Sequence, residues 1–389
     1  MNNENRILQW ILRGLSYILV AALASFATLY FLPQPDGQGK LNELRGLIQT
    51  CFVGDVTDDQ LYDGAAAGMV AATGDKWSYY IPASEYATHM EQLQNEYVGI
   101  GVTITTNEEG DGFTILVVEP QSGADEAGIL AGDVICQVEG KSVKELGVDG
   151  AKALIRGDEG TTLELAVLRD GKTHTFTVTR KRIQVVVAKG QMLPENIGLV
   201  TIKNFDERCA EETLAAIDSL VEQGAKALIF DVRYNPGGFK KELVEILDYL
   251  LPEGPVFRSV SYTGEETVTT SDAECLEIPM VVMMNSASYS AAEFFAAALR
   301  EYDKAVLVGE ATTGKSYFQN TYQLSDGSAV GLSVGKYCTP NGVSLAEVGG
   351  LQPDVEVLVD EETWNKLYAG TVAPEEDPQI QAAIAQLQK

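Results

Sequence analysis

The sequence predicts a multi-domain chain of mixed α+β and α/β class: an apolar N-terminal helix, a helical segment, a small β-rich domain, and a larger mixed-sheet core. Three observations carry that prediction. Residues 14–32 (GLSYILVAALASFATLYFL) run for 19 positions without a charge. At Tyr97 the apolar pattern changes from helical spacing to period two with glycine-rich turns. From Ile197 apolar strand-like runs alternate with amphipathic helical stretches, the pattern of a sheet covered by helices. At 389 residues the chain is long enough for two or three such units.

The run 14–32 has about the length needed to cross a bilayer, ~20 residues. Arg6 and Arg13 precede it and few positive charges follow closely. Residues 1–13 are therefore expected in the cytoplasm, with everything beyond a single-pass anchor outside the cell membrane. A signal peptide cleaved near ALASFA, releasing the rest as a secreted protein, is the alternative. Residues 33–95 begin with a Pro/Gly linker (Pro33–Lys40) and continue as helices: Leu41, Leu44, Leu47 and Ile48 have helical spacing. GDKWSYYIP reads as a turn-rich break, and ASEYATHMEQLQNEY as a helix with Ser84 as its N-cap.

Residues 96–184 form the β-rich domain. YVGIGVTI, FTILVVEP, VICQVEG and TTLELAVLRDGKTHTFTVTRKRI supply strands, with Asp170-Gly171 as a hairpin turn of type I′. SGADEAGI and DGAKALIRG supply two helical pieces. Residues 185–360 form the core: IGLVTIK, a helix near Ala210–Gln223, KALIFDVR, a helix from about Lys240 to Leu251, MVVMMN, a helix opening at Ser290, and AVLVGE. Residues 361–389 read as short terminal helices.

The charge balance excludes one class of partner. With 28 basic and 56 acidic residues the net charge is −28, and phosphate binding needs a basic surface, so no nucleic-acid partner is expected. The five cysteines (Cys51, Cys136, Cys209, Cys275, Cys338) are scattered, with neither zinc-ligand spacing nor a disulfide framework. No metal or cofactor is called for.

The run Tyr97–Val143 carries YVGIGV (97–102) and EPQSGADEAGILAGDVICQVEGKSV (119–143), followed by a helix ending IRG (155–157). These stretches resemble a PDZ domain. The resemblance implies a reader of protein C-termini, in which Gly99 and Gly101 let backbone N–H groups turn toward a carboxylate. The following strand would then add the peptide to the sheet edge. Val98, Ile100, Val102 and Leu154 would line an apolar pocket beside it.

The core holds a serine at the start of a helix, Ser290, and a lysine 25 residues later, Lys315, in a chain with only two histidines. His89 and His174 both lie more than a hundred residues before Ser290. A serine nucleophile needs a base, so a lysine is expected to replace histidine. A hydroxyl at a helix N-terminus meets free N–H groups that can stabilise an oxyanion; the plainer role of Ser288 or Ser290 is an N-cap. GEATTGKS (309–316) also fits the phosphate-binding pattern G-x-x-x-x-G-K-[ST], but SYFQNTYQLSDGSAVGLSV after it reads as strands where that motif requires a helix. NPGG (235–238) either turns a strand into a helix or aims a backbone amide into a site.

DVRYNPGG (231–238), NSASYSAAE (285–293) and VGEATTGKSYFQ (308–319), in the order membrane segment, helices, PDZ, core, resemble the C-terminal processing peptidases, the tail-specific serine proteases of family S41. The resemblance implies a PDZ domain placed before a serine peptidase core of crotonase-like ββα units. It implies Ser290 as nucleophile, Lys315 as base, and Gln319 orienting the lysine. The oxyanion site would be the Ala291 amide with an amide of Gly237 or Gly238. An acidic partner is often proposed eleven positions after the serine, here Glu301. Tyr289 stands where a small residue is usual. Arg156 resembles an arginine that couples the PDZ domain to activation in some relatives. The resemblance also implies protein or peptide substrates and a homo-oligomer. The expectation is a membrane-anchored serine endopeptidase; the alternative is an inactive PDZ adaptor on a protease-like core.

Overall fold

The computed structural model describes residues 10, 13–23, 37–107 and 112–389. The chain divides into two compact units, Met1–Gly74 and Asp75–Lys389. In the first, residues 13–23 are helical, and Leu15, Tyr17, Ile18, Leu19, Val20 and Leu23 are all exposed. Residues 24–32 of the expected anchor lie outside the described residues, and no described helix is long and apolar enough to cross a membrane. Helices Gly37–Cys51 and Asp58–Ala71 follow. Thr57 caps the second: its hydroxyl accepts from the Gln60 N–H, and the Gln60 side chain accepts from the Thr57 N–H.

The second unit holds the β-rich domain and the core. The β-rich domain is an antiparallel sheet in the order Val102–Thr106, Phe113–Val118, Val134–Val138, Thr162–Arg169, Lys172–Thr179. Asp170 and Gly171 join the last two strands with positive φ at both positions, 50° and 74°, as a type I′ turn requires. A two-stranded ribbon, Glu96–Gly99 against Lys181–Gln184, ties the entry of this domain to its exit. Ile100, Phe113, Ile115, Ile135, Leu163 and Leu165 form its core. Arg180, buried, closes the end of helix Val143–Ile155 by donating to the carbonyls of Leu154 (2.7 Å) and Ile155 (2.9 Å).

The larger core is a six-stranded sheet in the order Ala188–Leu193, Ile197–Ile202, Ala227–Asp231, Met280–Met284, Ala305–Gly309, Val355–Glu356. All neighbours after the first, antiparallel pair run parallel. Alternation along the strands sorts the two faces. Val200, Phe230, Val282 and Leu307 pack with helices Cys209–Glu222, Lys240–Leu250 and Ala291–Glu301; Leu199, Ile229, Val281 and Val308 pack with the C-terminal helix Pro378–Leu387. Burial of both faces explains the unbroken apolar run of Met280–Met284.

A second, antiparallel sheet contains Tyr79–Ile81, Ala329–Cys338, Gly254–Ser261, Glu266–Ser271 and Tyr317–Gln323. Tyr79–Ile81 lies within the stretch expected to be a turn-rich break. Three residues ended by Pro82 are too short for a periodicity to show, and their partner, Gly331 opposite Tyr79, is far away in sequence. The helix after it begins at Ala83, not at Ser84. The Pro82 carbonyl accepts from the Glu85 and Tyr86 N–H groups, so Pro82 is the N-cap. The strand Tyr317–Gln323 follows the GEATTGKS loop directly, and with no helix there the phosphate-binding pattern lacks its context. Among the described residues no disulfide joins the five cysteines, and the Cys136 thiol donates to the Ala166 carbonyl at 3.1 Å.

Candidate active site

Three segments converge at the C-terminal ends of the parallel strands. The first is the turn from Met284 into helix Ala291–Glu301, with Ser290 as its N-cap residue at φ 58°, ψ −126°. Positive φ in a residue with a side chain costs energy, and surrounding contacts must hold it. They are many. The Ser288 hydroxyl donates to the Val232 carbonyl at 2.7 Å, the Tyr289 N–H to the Asn235 carbonyl at 3.1 Å, and the Ser290 N–H to Glu293 Oε2 at 2.9 Å.

The second segment is Asn235–Gly238. The Asn235 side chain, fully buried, donates to the Ile202 carbonyl and accepts from the Gly237 N–H. That bond occupies the Gly237 amide. Among the described residues nothing accepts from the Gly238 N–H, and Ala291 opens its helix with a free N–H, so these two are the amides open to an oxyanion. Gly238, at φ 149°, must be glycine because a Cβ there would come within 2.2 Å of the Phe205 carbonyl carbon. At Gly237 a Cβ would meet Ser290 Cβ at 2.7 Å.

The third segment is the loop bearing Lys315. Its backbone is tied to the serine helix by Glu293, which is fully buried. Glu293 accepts from the N–H groups of Gly314 (2.7 Å) and Lys315 (2.9 Å) and from the Thr312 hydroxyl, besides the Ser290 N–H. Burial pushes the Glu293 pKa up, against the pull of those four donors. Sequence reasoning assigned Glu293 no role, although its position three residues after Ser290 is that of a capping-box glutamate.

The Lys315 side chain takes an unexpected direction. Its Nζ lies 4.8 Å from the centre of the Trp77 ring and 5.8 Å from that of Tyr289. The two rings are 5.7 Å apart. Among the described residues no hydrogen bond joins Lys315 Nζ to Ser290 Oγ. Burial lowers the Lys315 pKa below the ordinary lysine value, and the Asp75 and Glu293 carboxylates oppose that shift. Trp77 and Asp75 come from the segment read as a break, and no local pattern pointed to them.

Other expected residues stand apart. Among the described residues no hydrogen bond joins Gln319 to Lys315; the Gln319 amide donates to Ser333 Oγ (2.9 Å) and to the Tyr317 carbonyl (3.1 Å). Glu301 lies at the far end of the serine helix, roughly 16 Å along its axis from Ser290, where its carboxylate accepts from the Asn341 N–H at 2.8 Å. The carboxylate at the site is therefore Glu293, not Glu301. Asp206, next to Phe205 where that residue bridges Gly238, has its pKa pushed up to about 7 by burial and by the Glu242 and Glu207 carboxylates.

In the β-rich domain the strand Val102–Thr106 is at the sheet edge. The carbonyls of Ile100 and Gly101 are taken by the N–H groups of Ala124 and Glu119, both at 2.9 Å, while nothing among the described residues accepts from the Ile100 or Gly101 N–H. Val102 and Leu154 pack against the cluster containing Ile100. Val98 and Gly99 belong instead to the ribbon, opposite Arg182 and Lys181. Arg156 is exposed at the end of its helix, with no ion pair among the described residues.

A serine on a strained turn at a helix start, two open amides and a lysine loop, joined to a domain with a free strand edge, define a serine-type peptidase carrying a PDZ domain. Comparison with known proteins makes the assignment specific. The Peptidase family S41 profile matches residues 196–357, and the PDZ domain profile residues 98–179. The chain is 36% identical over 322 residues to the carboxy-terminal processing protease CtpA of Bacillus subtilis (strain 168), spanning 82% of this chain and 68% of that protein. It is 30% identical over 293 residues to a carboxyl-terminal-processing protease of Synechocystis sp., spanning 74% and 68%. A solved structure from Bacteroides fragilis NCTC 9343 assigned to the S41 proteases shares the fold, with a TM-score of 0.56 at 16% identity over 91% of this chain and 98% of that one. The chain belongs to the carboxy-terminal processing proteases of peptidase family S41.

Proposed function

We propose that the protein is a membrane-anchored, extracytoplasmic serine endopeptidase that captures protein C-termini with its PDZ domain and cleaves them with a Ser290/Lys315 dyad. The observation that carries this reading is Glu293, which ties the backbone of the nucleophile and the backbone of the lysine into one unit. The apolar run 14–32 supports the anchor. The free edge of Val102–Thr106 and the open amides of Ile100 and Gly101 support peptide capture by strand addition.

In the reaction, Ser290 Oγ attacks the scissile carbonyl carbon while its proton passes to neutral Lys315 Nζ. The Gly238 and Ala291 N–H groups receive the oxyanion. The lysine returns the proton to the leaving amine, and water then hydrolyses the acyl-enzyme. Neutral lysine is the active form, so cleavage rises with pH as Lys315 loses its proton. The depressed Lys315 pKa brings that rise below the pH range of an exposed lysine.

The test is labelling of the full chain by an alkyl fluorophosphonate, beside cleavage of a partly unfolded protein with an apolar C-terminus. Labelling and cleavage that both vanish in Ser290→Ala, and that survive chelators and histidine reagents, are expected. Full cleavage by Ser290→Ala would sink the assignment. Peptide binding without any labelling would make the chain an adaptor instead.

A further inference from the structure

The Lys315 backbone is held on both sides. Its N–H and that of Gly314 go to Glu293; on the other side the Ser316 carbonyl accepts from the Tyr337 N–H (2.8 Å) and the Ser316 hydroxyl from the Ala346 N–H (2.9 Å). The freedom left at this position is that of the side chain, whose end lies over two aromatic rings. The turn that carries Trp77 is equally well fixed. Asp75 accepts from the Trp77 N–H (3.1 Å) and the Ser78 hydroxyl (2.6 Å), and the Ser78 hydroxyl accepts from the Ser333 N–H (3.1 Å). Gln319 donates to the Ser333 hydroxyl, so the glutamine expected to orient the lysine instead meets the residue whose N–H holds Ser78.

We propose that Trp77, with Tyr289, is a positioning residue for the base: a cation–π cage that holds the Lys315 ammonium away from Ser290 and thereby sets the pH at which the dyad forms. A ring face attracts the charged ammonium and not the neutral amine, so the cage favours the protonated, inactive form. The groups facing the ammonium are Asp75 on the Trp77 turn and Tyr289 and Glu293 on the serine segment, and a second cation, Lys76 Nζ, lies 4.6 Å from the centre of the same Trp77 ring. Both carboxylates act in the same direction as the rings. Burial acts against them, which makes the balance sensitive to loss of one ring. The proposal rests on Lys315 serving as the base.

The experiment measures the rate of Ser290 labelling by an alkyl fluorophosphonate against pH, in the full chain. Trp77→Leu keeps an apolar neighbour and removes the ring face. Its acid limb is expected to move down by ~0.5–1.5 pH units, making labelling below the midpoint ~3–30-fold faster. Trp77→Phe should fall between Trp77→Leu and the wild type. Tyr289→Leu should shift the limb in the same direction by less, because its ring is the more distant one, and it serves where Trp77→Leu fails to fold. An acid limb that stays in place or moves up in the folded leucine variants overturns the cage. Lys315→Met separates the two ideas: a variant that labels at the wild-type rate removes the dyad itself. Loss of labelling in Lys315→Met with an unshifted limb in Trp77→Leu removes the cage alone.

Discussion

The two halves of the proposed catalytic site are built by different means. Ser290 is fixed by hydrogen bonds to backbone and side chains that are nearly all buried, and its positive φ is imposed by that network. Lys315 has an equally fixed backbone, but its charged end lies over two ring faces, with the Asp75 and Glu293 carboxylates acting on it at longer range. The difference fits what each half would do in the proposed reaction. An oxyanion pocket works only if its donors are in place before the reaction, and hydrogen bonds of fixed geometry provide that. A base that must gain and lose a proton is better served by contacts without strict direction, which a single side-chain rotation breaks.

Substitutions can test this contrast. Lys315→Arg keeps a cation for the cage but offers no base near neutral pH. It is expected to lower kcat/KM ~10³-fold, about 4 kcal/mol of transition-state stabilisation, while leaving the melting temperature nearly unmoved. A comparable fall in melting temperature would show that the base half is structural after all. Glu293→Gln should behave in the opposite way. A carboxamide presents an NH2 group to N–H donors that need an acceptor, so activity should fall ~10²-fold and stability by ~2–3 kcal/mol together. Activity lost with stability retained would break the claim that Glu293 is the joint of the nucleophile half.

Asp206 sharpens the comparison through pH. Its folded-state pKa of about 7 lies above the ordinary aspartate value, so its contribution is present in full below the ordinary value and is lost as pH rises toward and through 7. Asp206→Asn cannot ionise, and melting curves should show it outlasting the wild type by ~2 kcal/mol at pH 8, with the gap closing toward pH 4. A gap independent of pH would remove Asp206 as its source. The smallest effect on chemistry is expected from Arg180→Ala in the PDZ domain. It strips the carbonyls of Leu154 and Ile155 of their donor and should destabilise that domain by ~2 kcal/mol. Fluorophosphonate labelling of Ser290 should stay within about twofold.

Legibility in the sequence followed the range of each interaction. Ser290 and Lys315 stood out because histidine is scarce and because strand, turn and helix cues are local. The strand-bearing stretches of the β-rich domain and the alternation after Ile197 were readable for the same reason. Glu293 was readable in principle from its spacing to Ser290, but the other three donors it gathers, on Thr312, Gly314 and Lys315, come from a segment that spacing does not connect. Glu301 was carried over by position, and the helix put its carboxylate about three turns from the serine.

By itself, then, the sequence determined the kinds of element and marked Ser290, Lys315 and the glycines near them as candidates, because each rests on periodicity or on the steric need of one residue. Tertiary structure decided which amide is open, since Asn235 claims the Gly237 N–H. It also decided where the lysine points. Trp77 is brought beside Lys315 by the pairing of a three-residue strand, Tyr79–Ile81, with Ala329–Cys338 and by the Ser333–Ser78 hydrogen bond next to it. A pairing between segments so far apart leaves no trace in the local pattern of either.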